Sequence, residues 1–290
     1  MSGLRLYDLR NGYVDLLIWL TNHGRSRVSR GLSSVALTGV TLEFPDPTQV
    51  MLPLSVNRRI NARLAAVEAL QLAAGTFDAD LLRRAAPSYV DVMVRPDDLM
   101  YGAYGPRLRR QLDQVYHELR DDPGSRRTVL SIWREEDLTH DGDRPCTLST
   151  QFQVEDGRLE LIVTMRSNDV WLGTPYDIFI WSQLQASYAR QLGVAVGKYV
   201  HQVGNLHLYD RDREAADMLV KCRPDEPVPA DYPRGVVAVH EADYPSEVAR
   251  RLLDGTHSDE EAYANPWYVY QLARLGVTRR HLVRDVEEDA

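Results

Sequence analysis

The segment from Cys146 to Gly193 constrains the fold more than any other part of this chain of 290 residues. Two runs rich in β-branched and apolar residues, 146–154 and 158–165, flank Asp156-Gly157, a dipeptide that favours a tight hairpin turn. Pro175 suits the first turn of a helix, and Gly193 suits its C-terminal stop. The segment therefore predicts a β-hairpin followed by a helix that ends near residue 192.

Periodic patterns predict further elements on both sides of this segment. Strands are expected at 33–44, 128–133 and 199–209, and helices at 59–74 and 106–119. No internal repeat or linker is visible, so we expect one domain over residues 1–290. The predicted fold class is α+β, with a mixed β-sheet packed with helices.

Composition excludes several classes of protein. The net charge of −8 argues against a broad grip on nucleic acid. The apolar stretch 13–20 contains Asp15 and is too short to span a membrane. Two cysteines, without metal-ligand spacing and without a signal peptide ahead of them, favour a reducing cytoplasm and a protein without a bound metal.

Cys146 is the candidate nucleophile, although a lone cysteine is more often a small buried hydrophobe. Arg126, Arg127 and Arg166 lie in or beside neighbouring strand segments. Nearby guanidinium groups are expected to lower the pKa of a thiol and so to produce the reactive thiolate. Ion pairing could account for one of these arginines, but together they suit a phosphate group, to which Ser167 adds a hydroxyl donor.

Several motifs follow one another in a fixed order along the chain. They are the helix containing Glu68 that ends at Gly75, the pair Tyr104-Gly105, the run 122–127 ending in Arg126-Arg127, Pro145-Cys146, Gln151-Phe152, the run Arg166-Ser167-Asn168-Asp169 to Gly173, and His207 with Tyr209. In this order the motifs resemble those of thymidylate synthases over roughly residues 30–215. Residues 216–290 are a divergent C-terminal part, interpreted as a lid or a dimer contact.

This resemblance implies a nucleotide enzyme that forms a homodimer through its sheet. Cys146 would attack C6 of a pyrimidine nucleoside monophosphate, and C5 would then take a one-carbon unit from 5,10-methylenetetrahydrofolate as cosubstrate. By the same resemblance, Glu68 and Tyr104 would take part in catalysis, and Arg30, Arg166 and Ser167 would bind the phosphate. Arg126 and Arg127 would reach the phosphate site of the partner subunit. His207 and Tyr209 would bind the sugar, and Asp169 and Gly173 would bind the folate. Arg30 is chosen for its adjacent glycine, whereas Arg25 and Arg27 are expected to be solvated.

Asp177 stands where the family has an asparagine that reads uracil. An ionised carboxylate only accepts hydrogen bonds, which suits the amino group of cytosine, and the phage cytidylate hydroxymethylases share this change. An acidic residue at a helix N-terminus also favours the helix dipole without any role in recognition. Because cytosine N3 is an acceptor too, either Asp177 or N3 must carry a proton when they meet.

Two further departures concern the fate of the one-carbon unit. Tyr89 to Val94 replaces the family's tryptophan-containing segment, and 284–290 lacks its apolar C-terminal peptide. Both favour water over hydride as the second nucleophile, because hydride transfer needs a dry, closed site. The chain is therefore predicted to be a cytidylate 5-hydroxymethyltransferase acting on dCMP or CMP. A methylase of dUMP or dCMP and a catalytically silent nucleotide-binding homologue remain as alternatives.

Overall fold

The computed structural model describes residues 2–6, 10–47, 60–88, 100–221 and 245–277. Its strands are β1 (Ser2–Arg5), β2 (Arg25–Ser29), β3 (Leu32–Phe44), β4 (Val129–Ser131), β5 (Thr147–Glu155), β6 (Arg158–Met165), β7 (Asn168–Asp169) and β8 (Ala195–Tyr209). Its helices are α1 (Arg10–His23), α2 (Ala62–Ala74), α3 (Ala79–Ala85), α4 (Tyr104–Leu108), α5 (Leu112–Asp121), α6 (Thr174–Gln191), α7 (Arg213–Lys221), α8 (Pro245–Asp254), α9 (Asp259–Ala264) and α10 (Pro266–Ala273). The predicted α+β class is confirmed.

The strands form one mixed sheet in the order β1-β3-β8-β6-β5-β4, with β2 also paired to β3 and β7 to β8. The hairpin β5–β6 turns at Asp156 and Gly157, whose φ angles of 47° and 70° are those the predicted turn requires. Helix α6 then crosses over, so that β8 runs parallel to β6 and antiparallel to β3. The central strand pair is therefore parallel, in keeping with the predicted mixed sheet.

Helix α6 packs on β6 and β8, and α2 packs against α6. The buried residues of α6 include Phe179 and Trp181, and those of α2 include Val67 and Leu70. The opposite face of the sheet carries polar side chains, among them the pair Lys198 Nζ–Glu160 Oε2 at 3.0 Å, together with apolar ones such as Ile162 and Val200. Such a face suits the predicted dimer contact, which stays a prediction.

The predicted helix 106–119 is instead two helices, α4 and α5. The break between them is fixed by Gln111, whose Nε2 donates to the carbonyl of Ser131 at 2.9 Å. Its Oε1 in turn accepts from the Ser131 N–H at 2.8 Å. This tertiary pairing with the edge of β4 competes with a continuous helix.

The described part of the divergent C-terminal region, 245–277, packs against α2 through α8 and α10 rather than extending as a lid. Trp267 lies against Phe179, with ring centroids 5.8 Å apart, and belongs to the same buried cluster as the rest of the core. The apolar stretch 13–20 lies in α1, where Tyr13 donates to the Val170 carbonyl at 2.9 Å. Among the described helices none is long and apolar enough to cross a membrane.

Candidate active site

Cys146 lies at the open end of the β5–β6 hairpin, beside Arg166. The Arg166 N–H donates to the Cys146 carbonyl at 2.9 Å, because the two residues face each other just beyond the paired strands. The Arg166 guanidinium donates to the carbonyls of Pro145 and Arg144, both at 3.0 Å. It also lies 5.7 Å from the ring centre of Trp133. These contacts hold a cation next to the thiol.

The thiol itself differs from the expectation. Burial raises the pKa of Cys146 to about 11, and Arg166 and Arg30 lower it less than burial raises it. The carboxylates of Asp177 and Asp143 raise the pKa further. The sequence predicted a thiolate, but in the free protein desolvation of the half-buried sulfur outweighs the guanidinium groups. Arg30 thus acts electrostatically on the thiol, and its role in binding the phosphate stays a prediction.

Two half-buried carboxyl groups accompany Cys146. Burial raises the pKa of Glu68 to about 8, and the charge of Asp177 raises it further. Burial likewise raises the pKa of Asp177 to about 7. The hydrogen bond from Asn168 lowers this pKa, and the charge of Asp169 raises it. Groups with such pKa values exchange protons near neutral pH, which is the property that acid–base catalysis requires.

Tyr104 links the nucleophile to the helical wall of the site. Its hydroxyl accepts from the Thr147 N–H at 3.2 Å, and its ring stacks on Trp181 with centroids 5.9 Å apart. Burial raises the pKa of Tyr104 well above 10, helped by the charges of Asp177 and Cys146, so the hydroxyl keeps its proton. The structure thus gathers Cys146, Glu68, Tyr104 and Asp177 in one place.

Asp177 belongs to a chain of hydrogen bonds that runs into the core. Asn168 Nδ2 donates to Asp177 Oδ2 at 2.8 Å. Asn168 Oδ1 lies 2.7 Å from Thr174 Oγ1 and 3.0 Å from His201 Nε2. The other ring nitrogen of His201, Nδ1, lies 2.8 Å from the Tyr199 hydroxyl. Burial lowers the pKa of His201 to about 3, so the imidazole is neutral.

His207 and Tyr209 lie at the end of β8, where the sugar site is expected. Their rings meet edge to face with centroids 4.8 Å apart, and His207 is buried. Electrostatic interaction with His207 lowers the pKa of Asp169, and burial raises that pKa more strongly. This proximity places the expected sugar and folate residues on neighbouring elements.

Asp169 and Gly173 lie just before the start of α6. Asp169 Oδ1 accepts the backbone N–H groups of residues 171 and 172 at 2.8 and 3.2 Å. A Cβ atom on Gly173 would lie 2.9 Å from Asn168 Nδ2 and 3.2 Å from Asp177 Oδ2. Glycine at 173 therefore leaves room for the Asn168–Asp177 hydrogen bond, a role that the sequence did not suggest.

Arg126 and Arg127 lie on the surface of the chain, just before β4. Arg127 Nη2 is 3.3 Å from Glu118 Oε1, and its side chain is 82% exposed. This exposure is compatible with use by a second subunit, which remains a prediction. Ser167 is half-buried and follows Arg166 directly.

Sequence reasoning missed Asp143 and assigned no role to Asn168. It also missed His201 and Tyr199. A signal for the last two was present, since residues 199 and 201 point to the same face of a strand as Val203, and that face is buried. Buried polar side chains need partners, so this pair indicates a network. Cys222, Tyr89 to Val94 and residues 284–290 lie outside the described residues.

Comparisons with known proteins show which sequences and structures the chain is similar to. The family described as thymidylate synthase matches residues 11–231. The chain is 36% identical to thymidylate synthase of Bacillus licheniformis over 111 residues, which are 38% of this chain and 40% of that protein. Thymidylate synthase of Bacillus phage phi3T is 38% identical over 101 residues, 35% of this chain and 36% of that protein. The matched segments thus span less than half of these relatives.

A solved structure extends the likeness of fold. Thermostable thymidylate synthase A from Bacillus subtilis superimposes with a TM-score of 0.64 at 24% identity. The superposition covers 76% of this chain and 86% of that one.

Within the described residues, no group of three or more His, Cys, Asp or Glu side chains is arranged to hold a metal ion. The candidate site therefore consists of a thiol, two carboxyl groups of raised pKa and a fixed cation.

Proposed function

Because this chain belongs to the thymidylate synthase family, we propose that it transfers a one-carbon unit to C5 of a pyrimidine nucleotide and that the product is 5-hydroxymethylcytidylate. The observation that carries the cytidylate assignment is Asp177, whose charge acts on Cys146 and whose pKa burial raises to about 7. The family enzymes named in the comparisons are thymidylate synthases, so the choice of base and of product is our own inference.

A neutral Asp177 resolves the difficulty raised by cytosine. A carboxylic acid donates through one oxygen and accepts through the other. It can therefore donate to N3 of cytosine and accept from the amino group at position 4. With a pKa of about 7, the protonated form is well populated at neutral pH. The proton that the pairing needs is thus already on the protein.

The same protonation favours the nucleophile. The charge of Asp177 is one of the two carboxylate charges that raise the pKa of Cys146. When Asp177 is neutral this contribution is lost, while those of Arg166 and Arg30 remain. Recognition of the base and activation of the thiol are therefore linked through the charge of one carboxyl group.

In the proposed reaction, Cys146 Sγ loses its proton and adds to C6, which makes C5 a carbon nucleophile. C5 bonds to the one-carbon unit, which methylenetetrahydrofolate supplies at the oxidation level of formaldehyde. Loss of the C5 proton then breaks the bond between the one-carbon unit and the folate nitrogen, so that tetrahydrofolate leaves and a methylene group remains on the ring. Water adds its hydroxyl to this methylene group as the C6–sulfur bond to Cys146 breaks. Glu68, with a pKa of about 8, can hold and release the protons of these steps.

The folate is expected to bind at Asp169 and Gly173. The Asp169 carboxyl group can accept hydrogen bonds from ring N–H groups, since only its Oδ1 accepts from the backbone amides of Trp171 and Leu172. A single chain would take the nucleotide phosphate through Arg166, Arg30 and Ser167. A second copy would add Arg126 and Arg127 across the exposed sheet face.

Product analysis tests this proposal directly. The protein is incubated with methylenetetrahydrofolate and, separately, with dCMP, CMP and dUMP, and the products are analysed by mass spectrometry. We expect cytidylate to gain one CH2O group and the folate to leave as tetrahydrofolate. Asp177→Asn should shift the preference from cytidylate to dUMP, whereas an unchanged preference contradicts the role of Asp177.

The names of the relatives favour a second candidate function, the methylation of dUMP. Methylation consumes the folate as a hydride donor and yields dihydrofolate. Formation of dihydrofolate together with methylated dUMP would establish this function instead. Nucleotide binding without any turnover would support the catalytically silent alternative.

A further inference from the structure

We propose that Asn168, oriented by His201 and Tyr199, decides which oxygen of Asp177 carries the proton and thereby sets the choice between cytosine and uracil. This inference rests on the proposed function, because it concerns how the same carboxyl group reads a base. It assigns a specificity role to three residues that lie behind the site and do not reach the base themselves.

A neutral carboxylic acid alone does not distinguish the two bases. Cytosine offers an acceptor at N3 and a donor at position 4, whereas uracil offers a donor at N3 and an acceptor at position 4. An acid that can place its proton on either oxygen can pair with both arrangements. Discrimination therefore requires that one oxygen of Asp177 be kept as an acceptor.

Asn168 provides this asymmetry. Its Nδ2 donates to Asp177 Oδ2 at 2.8 Å, so Oδ2 must accept and a proton on Asp177 must sit on Oδ1. If Oδ2 faces position 4 of the base and Oδ1 faces N3, the pattern matches cytosine and excludes uracil. A flipped Asn168 amide would present Oδ1 to Asp177 and reverse the pattern.

The orientation of the Asn168 amide is set by its other neighbours. Thr174 Oγ1 is close to two acceptors, Asn168 Oδ1 at 2.7 Å and the Asp169 carbonyl at 3.2 Å. Its single proton could serve either, so Thr174 alone does not fix the amide. His201 Nε2, at 3.0 Å from Asn168 Oδ1, fixes it if that nitrogen bears the proton.

Tyr199 determines the tautomer of His201. Its buried hydroxyl lies 2.8 Å from His201 Nδ1, and within the described residues it forms no other hydrogen bond. A buried hydroxyl that only accepted would leave its own proton unpaired, which costs about 1–3 kcal/mol. Tyr199 therefore donates to Nδ1, and the proton of the neutral imidazole lies on Nε2. The chain of donors runs in one direction from Tyr199 to Asp177.

Other ionisable groups surround Asp177 and contribute to any pH dependence measured there. Those electrostatically linked to it are Glu68 from α2, Tyr104 from α4, Cys146 before β5, Asp169 from β7 and Tyr199 from β8. None of them donates a hydrogen bond to Asp177 among the described contacts, so Asn168 is the residue that distinguishes its two oxygens.

The test compares wild type with His201→Phe, His201→Gln and Ser182→Ala. Phenylalanine removes the donor to Asn168 and keeps a ring in the buried space. Glutamine can accept from Tyr199 and donate to Asn168, so it serves as the rescue. Ser182 is a buried residue of α6 whose hydroxyl bonds only the Phe179 carbonyl among the described contacts, and it controls for loss of a buried hydrogen bond. Kd and kcat/KM are measured for dCMP and dUMP with each protein.

We expect His201→Phe to bring the dCMP-to-dUMP ratio of kcat/KM about tenfold closer to one, the effect of one hydrogen bond. Part of the change should be a gain with dUMP, which a general loss of structure would not produce. His201→Gln and Ser182→Ala should keep the wild-type ratio. A folded His201→Phe protein with an unchanged ratio, or a glutamine variant that behaves like phenylalanine, overturns the inference. A wild-type preference for dUMP refutes the proposed function instead. In that case the dCMP-to-dUMP ratio of kcat/KM in His201→Phe still tests whether the chain of donors from Tyr199 to Asp177 sets the preference.

Discussion

Asp177→Asn should make the free protein more stable at pH 8 than wild type, by an amount that grows with pH. Burial raises the pKa of Asp177 from 3.8 to about 7 in the folded state, and exposure in the unfolded chain restores the lower value. Below about pH 4 both states hold the proton. Between about pH 4 and 7 only the folded state holds it, so the free energy of unfolding falls as pH rises.

The size of this effect follows from the difference in pKa. Each pH unit between 3.8 and about 7 costs wild type about 1.4 kcal/mol, so the upper limit is about 4 kcal/mol above pH 7. The amide that replaces the carboxyl group has no proton to lose, and its oxygen can still accept the hydrogen bond from Asn168. Comparing pH 5 with pH 8, we expect the advantage of the variant to increase by about 2–3 kcal/mol.

Urea unfolding followed by circular dichroism measures this difference at pH 5 and pH 8. Protein concentration is held constant, because association of subunits would make the apparent stability depend on it. Glu155→Gln removes an exposed carboxylate from the end of β5 and controls for the loss of one negative charge. A variant advantage that is the same at both pH values would show that the pKa of Asp177 is not raised, and the argument for a neutral acid would fall.

Two further predictions concern the surroundings of Asp177 and the dimer. Gly173→Ala puts a Cβ atom 2.9 Å from Asn168 Nδ2, so we expect the kcat/KM for dCMP to fall about tenfold and the melting temperature to fall with it. Steady-state kinetics and thermal unfolding measure both, and unchanged kinetics would show that the Asn168–Asp177 bond is not needed. Arg126→Ala/Arg127→Ala and Cys146→Ser proteins should each be inactive, but mixed subunits should recover about a quarter of wild-type activity if the arginines act across the interface. Mixing that restores no activity places the arginines in their own subunit's site.

Turns and the ends of helices could be predicted from the sequence where they depend on neighbouring residues. The Asp156-Gly157 turn, the stop of α2 at Gly75 and the start of α6 near Pro175 all depend on residues close in the chain. The split of the predicted helix 106–119 could not be predicted, because Gln111 bonds to a strand twenty residues away. Pairing of β8 between β3 and β6 is equally non-local.

The candidate site shows the same division. Motif order identified Cys146, Arg166 and Asp177 as neighbours, and the structure brings them together. The charge state of Cys146 was predicted wrongly, since residue types reveal nearby cations but not how strongly the sulfur is desolvated. The link from Asn168 to His201 spans thirty-three residues and depends on the placement of β8, so only the alternation of that strand hinted at it.

The high pKa of Cys146 also affects how readily its sulfur is oxidised or alkylated. With a pKa of about 11, about one thiol in ten thousand is ionised at pH 7. Oxidants such as peroxide, and alkylating agents, react with the thiolate rather than with the thiol. In the free protein the buried thiol is therefore protected from such damage, and under the proposed function it would become reactive when a nucleotide and a protonated Asp177 share the pocket.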